Sequence, residues 1–318
     1  MAMNRRDFLA GVAGASLAQP GLAAPPDAVA APLPAVDQLW IDAARGREVP
    51  VRLHLPARAA AAPVILFSHG LGGSRAGGER WGQVWAAKGF LSIHLQHHGS
   101  DEALWKDRNP LAAFASLKRA MNAENALLRV QDIVFVLDEL ARRRGAGDPL
   151  LAAADLDRIG ISGHSFGART TIAVVSQMAD RRIRAAIAFS PVGEGSDLAN
   201  RERSGRIRIP FLSLTGTEDR VPILNDTTPE ERRIPYQAMP GPDKYLLVLA
   251  GADHMLFNGD PQGRRWSDAN RTVHAPLVEQ VSVAFWRAYL GDDPAARAQL
   301  GAAAMQALVG ANGEWFAK

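Results

Sequence analysis

The sequence predicts an α/β protein with a mostly parallel, doubly wound sheet and helices on both faces. The first observation is that short apolar runs alternate with helical stretches of ten or more residues, which favours right-handed crossovers. The second is that residues 63–67 form a continuous apolar run, typical of a strand buried on both faces. The third is size: 318 residues, 47% of them hydrophobic and without a long biased stretch, suffice for one large core.

Each element has its own pattern in the sequence. We expect strands at 49–55, 63–67, 90–94, 158–162, 184–189, 210–214 and 245–249. Helices are expected at 79–88, 123–143, 166–178 and 277–290, the second of them with an apolar stripe formed by Leu127, Val130, Val134 and Leu137. Three longer connections, at 95–122, 219–243 and 255–275, all follow strands and should gather at the carboxyl edge of the sheet, where α/β folds bind ligands.

The amino terminus resembles a cleavable export signal. Arg5-Arg6 precedes a short apolar stretch and a small-residue region near Ala23, which predicts a twin-arginine signal peptide over residues 1–23. An ordinary signal peptide with two chance arginines is the alternative. Residues 24–37, rich in Ala and Pro, are expected to be a disordered leader into a single domain at 38–318. The predicted location is therefore exported, periplasmic or secreted, without a membrane span.

Composition narrows the possible chemistry. The net charge is only +3 and the basic residues are scattered, so no nucleic-acid partner is expected. The chain has no cysteine, which excludes disulfides, a cysteine nucleophile and cysteine-based metal sites. A group formed by His94, His97, His98 and Asp101 could bind zinc, but it lacks a second set of ligands, and a pocket wall or a supporting role is preferred. No metal or cofactor is predicted.

A Gly-His-Ser-Phe-Gly segment at residues 163–167 is the strongest chemical signal. It stands between the predicted strand 158–162 and an apolar helix, which is the setting of a G-x-S-x-G nucleophile elbow. The glycines permit a sharp strand-to-helix turn that exposes the serine. The sequence thus predicts Ser165 as a nucleophile, the alternative being a glycine-rich turn with a capping serine.

A serine nucleophile needs a base and an acid that orients the base. In an elbow fold these partners follow the serine in the order acid and then histidine. His254 lies just after the last predicted strand and Asp219 just after the strand before it. We therefore predict His254 as the base and Asp219 as the acid, with Glu218 and Asp253 as neighbouring alternatives.

A glycine-rich segment, Ser-His-Gly-Leu-Gly-Gly at 68–73, directly follows the strand 63–67. Backbone N–H groups in such a loop, and on the residue after the nucleophile, stabilise the oxyanion of acyl transfer. The predicted donors are the N–H groups of Leu71 and Phe166, unless the segment is only a flexible turn. Four side chains are candidates for lining a substrate pocket: His97, Trp105, Phe257 and Trp266.

These motifs resemble those of the platelet-activating-factor acetylhydrolase and dienelactone-hydrolase-like branch of the α/β hydrolases. The resemblance covers about residues 63–290 and rests on 68–72, on 163–167 and on the order of Asp219 and His254. In the acetylhydrolases the residues that match Leu71 and Phe166 supply the oxyanion donors. The resemblance also implies the α/β-hydrolase fold and short or oxidised acyl esters as substrates. Dienelactone hydrolases proper use a cysteine nucleophile, which this chain lacks.

The resulting expectation is a hydrolase that cleaves small-molecule carboxylic esters through an acyl-enzyme. An acyltransferase that uses the same residues and an alcohol acceptor is a second hypothesis. A non-catalytic binding protein on the same fold is a third. The sequence makes no prediction about the oligomeric state.

Overall fold

The computed structural model describes residues 33–57, 61–178, 180–191, 197–221, 227–260, 262–263 and 266–318. The predicted signal peptide, and the predicted leader up to residue 32, lie outside the described residues. The strands are β1 (Val36–Asp42), β2 (Arg47–His54), β3 (Ala62–Ser68), β4 (Leu91–Leu95), β5 (Ala154–His164), β6 (Ile183–Phe189), β7 (Phe211–Glu218), β8 (Lys244–Asp253) and β9 (Gly313–Ala317).

The α-helices of the described ranges surround this sheet and connect its strands. They are α1 (Glu79–Ala87), α2 (Pro110–Ala120), α3 (Ala123–Gly145), α4 (Phe166–Ala173), α5 (Asp197–Ser204), α6 (Ile234–Ala238), α7 (Ala275–Tyr289), α8 (Pro294–Gln299) and α9 (Ala302–Val309). Asn109 and Asn122 cap α2 and α3, each accepting a backbone N–H of the first turn with its side-chain oxygen.

The strands form a single sheet in the order β1-β2-β4-β3-β5-β6-β7-β8-β9. Neighbouring strands from β4 to β8 pair in parallel, whereas β1, β2 and β9 pair antiparallel at the two sides of the sheet. The predicted α/β class with a mostly parallel sheet is confirmed. Since parallel strands end at the same edge, the carboxyl ends of β3, β5, β7 and β8 meet there.

Each face of the sheet carries its own hydrophobic core. Ile65 and Phe67 of β3 point into a core that α1 and α7 complete and that contains most of the large aromatic side chains. The alternate residues Val64 and Leu66 point into an aliphatic core against α3 and α4. This alternation along one strand is the direct result of the two-residue period of a β-strand. Helices therefore cover both faces, as predicted.

Both outer strands differ from the sequence expectation. β1 begins at Val36, which pairs with Leu53, two residues before the predicted start of the domain. β9 was not predicted, because residues 313–317 contain only one inward-facing apolar side chain, Trp315, in a short glycine-started run. Trp315 pairs with Leu247 of β8 and packs on the ring of Tyr245. An edge strand of this kind is specified by its neighbour more than by its own sequence.

The apolar stripe of α3 also lies differently from the prediction. Leu127, expected to be buried, is 58% exposed, and Val134 is only half-buried. The buried face instead includes two charged residues, Arg129 and Asp132, both with no exposed surface. A prediction from hydrophobicity misses buried charged residues, because it assigns every charged residue to the solvent-facing side of the helix. These two residues lie beside the candidate site described next.

In the described ranges, no helix combines the length and the apolar character that crossing a bilayer requires.

Candidate active site

Ser165 occupies a sharp turn between β5 and α4. Its backbone has φ 54° and ψ −113°, a strained conformation for a residue other than glycine, and its N–H donates to Phe189 O at 2.9 Å. The flanking glycines are required by close approach: a Cβ atom on Gly167 would lie 1.8 Å from Ser68 O. On Gly163, a Cβ would lie 2.4 Å from the carbonyl carbon of Gly167. The turn therefore has the geometry expected of a nucleophile elbow.

Asp219 and His254 meet at the carboxyl ends of β7 and β8. The His254 Nδ1 atom lies 2.7 Å from Asp219 Oδ1, and the Asp219 side chain is fully buried. His254 also contacts the residue before Ser165, because its ring centroid lies 4.6 Å from that of His164 and its carbonyl is 3.2 Å from His164 Nε2. The sheet edge thus brings the predicted base next to the elbow, with its Nδ1 atom facing the acid.

Asp219 is held by several donors. The Ser190 hydroxyl lies 2.7 and 2.6 Å from its two carboxylate oxygens, and Thr215 Oγ1 donates to Oδ2 at 2.8 Å. Arg232 Nε lies 3.0 Å from Oδ1. Burial by itself would raise the pKa of Asp219, but the hydrogen bond from His254 and the nearby positive charges outweigh it and lower that pKa. Asp219 is therefore an ionised carboxylate at neutral pH.

The two neighbouring carboxylates have other environments. Glu218 is exposed to solvent. Asp253 Oδ1 accepts the backbone N–H groups of Met255 and Leu256 at 2.9 and 3.1 Å, as a capping side chain does. Of the three acidic candidates, the structure places Asp219 against the His254 ring.

Two residues at this site were missed by sequence reasoning. Ser190 follows β6 directly, adopts φ 55°, and places its hydroxyl 2.8 Å from His254 Nδ1 as well as on Asp219. Arg232, fully buried, donates through Nε to Asp219 O at 2.8 Å and through Nη1 to the carbonyls of Ser190 and Pro191. The position of Ser190 at a strand end was a usable signal, whereas nothing near Arg232 in the sequence separates it from solvated arginines.

The glycine-rich loop after β3 lies against the elbow. A Cβ atom on Gly70 would be 3.5 Å from Ser165 Cβ, which shows how closely the loop approaches the serine. The Gly72 N–H donates to Ser100 O at 2.9 Å and the Gly73 N–H to Gly70 O at 3.1 Å. No hydrogen bond of the described residues uses the N–H groups of Leu71 or Phe166. Neither N–H group is therefore bonded to another of the described residues.

The four candidate pocket residues have different environments. Trp105 is 46% exposed and donates its indole N–H to Gly72 O at 2.6 Å, so it borders the glycine-rich loop. Phe257 and His97 have no exposed surface, and Trp266 packs on Trp81 with its indole N–H on the Met255 carbonyl. His97, Phe257 and Trp266 are thus buried in the structure, whereas Trp105 is exposed beside the glycine-rich loop; their role as pocket residues stays a prediction.

The histidine group considered for zinc is divided among separate partners. His94 Nε2 is 2.8 Å from the Ser92 hydroxyl, and His98 Nδ1 is 3.1 Å from Asp101 Oδ2. His97 bonds to Ser68 and to Asp132. Among the described residues, no group of three or more His, Cys, Asp or Glu side chains has an arrangement that could hold a metal ion.

A comparison of the chain with models of protein families finds no family that matches it.

Proposed function

We propose that this chain is a serine hydrolase of the α/β-hydrolase fold that cleaves carboxylic esters of short acyl chains. The observation that carries the proposal is the strained serine of the elbow beside a buried Asp–His pair. Ser165 has φ 54° in a turn whose glycines cannot be replaced without a clash, and Asp219 orients His254 from the neighbouring strand ends. A turn that served only to change direction would not require a strained serine.

The order of the elements supports the same proposal. In the α/β-hydrolase arrangement the nucleophile follows one strand, the acid and the histidine follow later strands, and an oxyanion donor comes from the loop after β3. Here Ser165 follows β5, Asp219 follows β7, His254 follows β8, and Leu71 follows β3. The resemblance to the acetylhydrolase-like branch and the export signal remain predictions from sequence.

Each of these groups has a role in the proposed reaction. His254 removes the hydroxyl proton of Ser165 as the oxygen attacks the ester carbonyl, and the Leu71 and Phe166 N–H groups stabilise the negative oxygen. The alkoxide of the ester leaves with that proton from His254, which produces an acyl-enzyme and a free alcohol. Water then attacks the acyl carbon, giving its proton to His254, and the acid is released as Ser165 recovers its proton.

The decisive experiment is covalent labelling with a fluorophosphonate, followed by mapping of the modified peptide. We expect the label on Ser165, together with hydrolysis of p-nitrophenyl acetate or butyrate. Ser165→Ala should lower ester turnover by about three orders of magnitude or more, because the residues of such a site act as a unit. Ser176→Ala is a matched control, since this half-buried hydroxyl donates to a helix carbonyl away from the elbow. Near-normal turnover by folded Ser165→Ala would refute the proposal.

A further inference from the structure

Helix α3 places two opposite charges in the interior beside the glycine-rich loop. Arg129 and Asp132 are three residues apart, on the same side of the helix, and neither has exposed surface. Buried charges are strongly unfavourable unless other groups compensate for the lost hydration. Their contacts therefore indicate what the fold uses them for.

Arg129 contacts both segments that would supply oxyanion donors. Its Nη2 atom donates to His69 O at 2.6 Å, in the loop that carries Leu71. Its guanidinium lies over the ring of Phe166, with Cζ 4.5 Å from the ring centroid. One side chain thus spans the distance between the loop after β3 and the first residue of α4.

The charge of Arg129 is not neutralised by a direct ion pair. Among the described residues it has no carboxylate within salt-bridge distance, and its Nε and Nη1 atoms have no hydrogen-bond partner. Burial lowers the pKa of Arg129 to about 9, which still leaves it protonated at neutral pH. A buried cation of this kind favours negative charge that develops nearby.

Asp132 supports the same loop through His97. Its Oδ2 atom is 3.0 Å from His97 Nδ1, and His97 Nε2 is 2.9 Å from the Ser68 hydroxyl. Arg47 fixes the carboxylate from the other side, with Nε on Oδ1 at 2.8 Å and Nη2 on Oδ2 at 2.9 Å. The order Ser–His–Asp resembles a hydrolytic site, but all three side chains are fully buried, so no substrate can reach this serine.

The main chain at His97 adds two further links to the loop. The His97 N–H donates to His69 Nε2 at 3.0 Å, which leaves His69 Nδ1 to donate to Gly70 O. The His97 carbonyl accepts the Ser100 N–H, and the Ser100 carbonyl accepts the Gly72 N–H. The loop is consequently bound on both sides of Leu71.

We propose that Arg129 is a positioning residue for the oxyanion hole, fixing the Leu71 and Phe166 N–H groups relative to each other from beneath, with Ser68, His97 and Asp132 as the second support of the loop. The inference rests on the proposed function. Oxyanion donors act only when they lie about 2.7–3.1 Å from the charged oxygen, so a small displacement of either segment lowers the rate of the chemical step. Substrate binding before that step depends much less on this distance.

The test compares three variants of one helix. Arg129→Met removes the charge and the hydrogen bond to His69 O. Arg129→Lys keeps the positive charge and an N–H group that can donate to His69 O. Arg142→Met is the matched control, because Arg142 is largely exposed and pairs with Glu139 of the same helix. For each folded variant we would measure kcat and KM with p-nitrophenyl butyrate, and inhibition by an alkylboronic acid, which forms a tetrahedral adduct on a serine.

We expect Arg129→Met to lower kcat by about 10- to 100-fold with KM within about threefold of the wild type, since a displaced donor is lost only in the transition state. Inhibition by the boronic acid should weaken in parallel with kcat. Arg129→Lys should recover part of both, and Arg142→Met should match the wild type. A purely structural arginine would instead lower the yield or the melting temperature of the variants and leave kcat per folded molecule unchanged, which would overturn the inference.

A second variant decides the matter if Arg129→Met does not fold. Ser68→Ala removes a single buried hydroxyl and should lower kcat about 3- to 10-fold at constant KM, by the same argument. Unchanged kcat in folded Ser68→Ala would then overturn the inference. The proposed function is tested separately: a wild-type protein that neither reacts with a fluorophosphonate nor cleaves esters refutes that function, whereas an active wild type with unaffected variants refutes only the role of Arg129.

Discussion

The Asp219 carboxylate is held in place by several hydrogen bonds and an ion pair. Its carboxylate receives bonds from Ser190, Thr215 and His254, and Arg232 binds both its side chain and its carbonyl. The bond to Nδ1 keeps a proton on that nitrogen of His254 and leaves Nε2 free to accept one. For the proposed hydrolase, this fixed tautomer is the property that makes the histidine a base.

Replacing the carboxylate by its amide tests this arrangement. We expect Asp219→Asn to lower kcat by about 10³- to 10⁴-fold with little change in KM, because the amide no longer selects the correct His254 tautomer. The measurement is steady-state hydrolysis of a p-nitrophenyl ester by protein whose fold has been verified by circular dichroism.

The neighbouring carboxylates are the matched controls for this substitution. Glu218→Gln should have nearly normal turnover, since Glu218 is exposed. Asp253→Asn should also keep nearly normal turnover and stability, because the Asn side-chain oxygen can accept the same two backbone N–H groups that Asp253 accepts after β8. An Asp253→Asn variant that loses more turnover than Asp219→Asn would show that the acid is assigned to the wrong residue.

Among the elements, helix α4 and strand β3 lie so close together at Gly167 that only a residue without a side chain fits there. Gly167 stands so near Ser68 that an added Cβ atom would overlap the carbonyl oxygen, at 1.8 Å. Gly145, at the end of α3, is exposed, and apart from its own helix backbone and chain neighbours no atom of the described residues lies within 4 Å of its Cβ position. A side chain would therefore clash at Gly167, whereas there is space for one at Gly145.

Alanine at these two positions should therefore have opposite effects. Gly167→Ala should destabilise the protein by about 3 kcal/mol, because the backbone of α4 must move away from β3. Gly145→Ala should be neutral or stabilise the helix by up to about 1 kcal/mol, through the higher helix propensity of alanine. Urea unfolding of both variants measures the difference, and equal stability of the two would contradict the close contact.

Local patterns at the elements made the position of Ser165 predictable. The strand 158–162, the two glycines and the following apolar helix all lie between residues 158 and 178, so the motif can be read from one short segment. The positions of Asp219 and His254 followed from chain order and from strand ends meeting at one edge. Arg129 and Arg232 were missed because their roles depend on contacts between residues distant in the sequence, whereas Ser190 directly follows β6 and could have been found by the same strand-end reasoning.

At the level of the whole molecule, the central parallel strands were predicted within a few residues, but the borders of the sheet were not. Continuous apolar runs identify β3 and β6 because both of their faces are buried. The strand β9 has one buried side chain, Trp315, which is too weak a pattern to predict a strand. In α3, Arg129 and Asp132 are buried although their charge predicts exposed positions. Sequence patterns therefore describe the interior of the sheet better than its edges and its buried polar groups.

Buried histidines distributed over the molecule should make its stability sensitive to mild acid. Six of the eight histidines have a lowered pKa, with burial as the main cause: His54, His69, His94, His97, His164 and His274. For His54 and His97 the value is about 4. A lowered pKa means that the unfolded state binds protons first, so stability is complete above about pH 6.5 and is lost as the pH falls toward 4.

Between pH 7 and pH 5 we expect the free energy of unfolding to fall by about 2 kcal/mol for each of His54 and His97. The pKa of the Asp219 and Asp132 carboxyls is lowered, so the stability that they contribute is lost only below about pH 4. Urea unfolding at both pH values measures the change. His98→Asn is a control. The pKa of His98 is raised by its hydrogen bond with Asp101, so His98 stabilises the fold more at pH 5 than at pH 7, and its removal should leave the loss of stability at pH 5 in place. Equal stability at pH 7 and pH 5 would contradict the buried neutral state of these histidines.

Trp105 gives the protein a built-in optical reporter of its candidate site. The other tryptophans, Trp40, Trp81, Trp85, Trp266, Trp286 and Trp315, are buried, so a dissolved quencher such as acrylamide reaches mainly the emission of Trp105. Since the Trp105 indole is bonded to Gly72 O of the glycine-rich loop, a molecule seated there would shield this ring and alter its emission. Occupancy of the site could thus be followed by fluorescence in the unlabelled protein, with no turnover required.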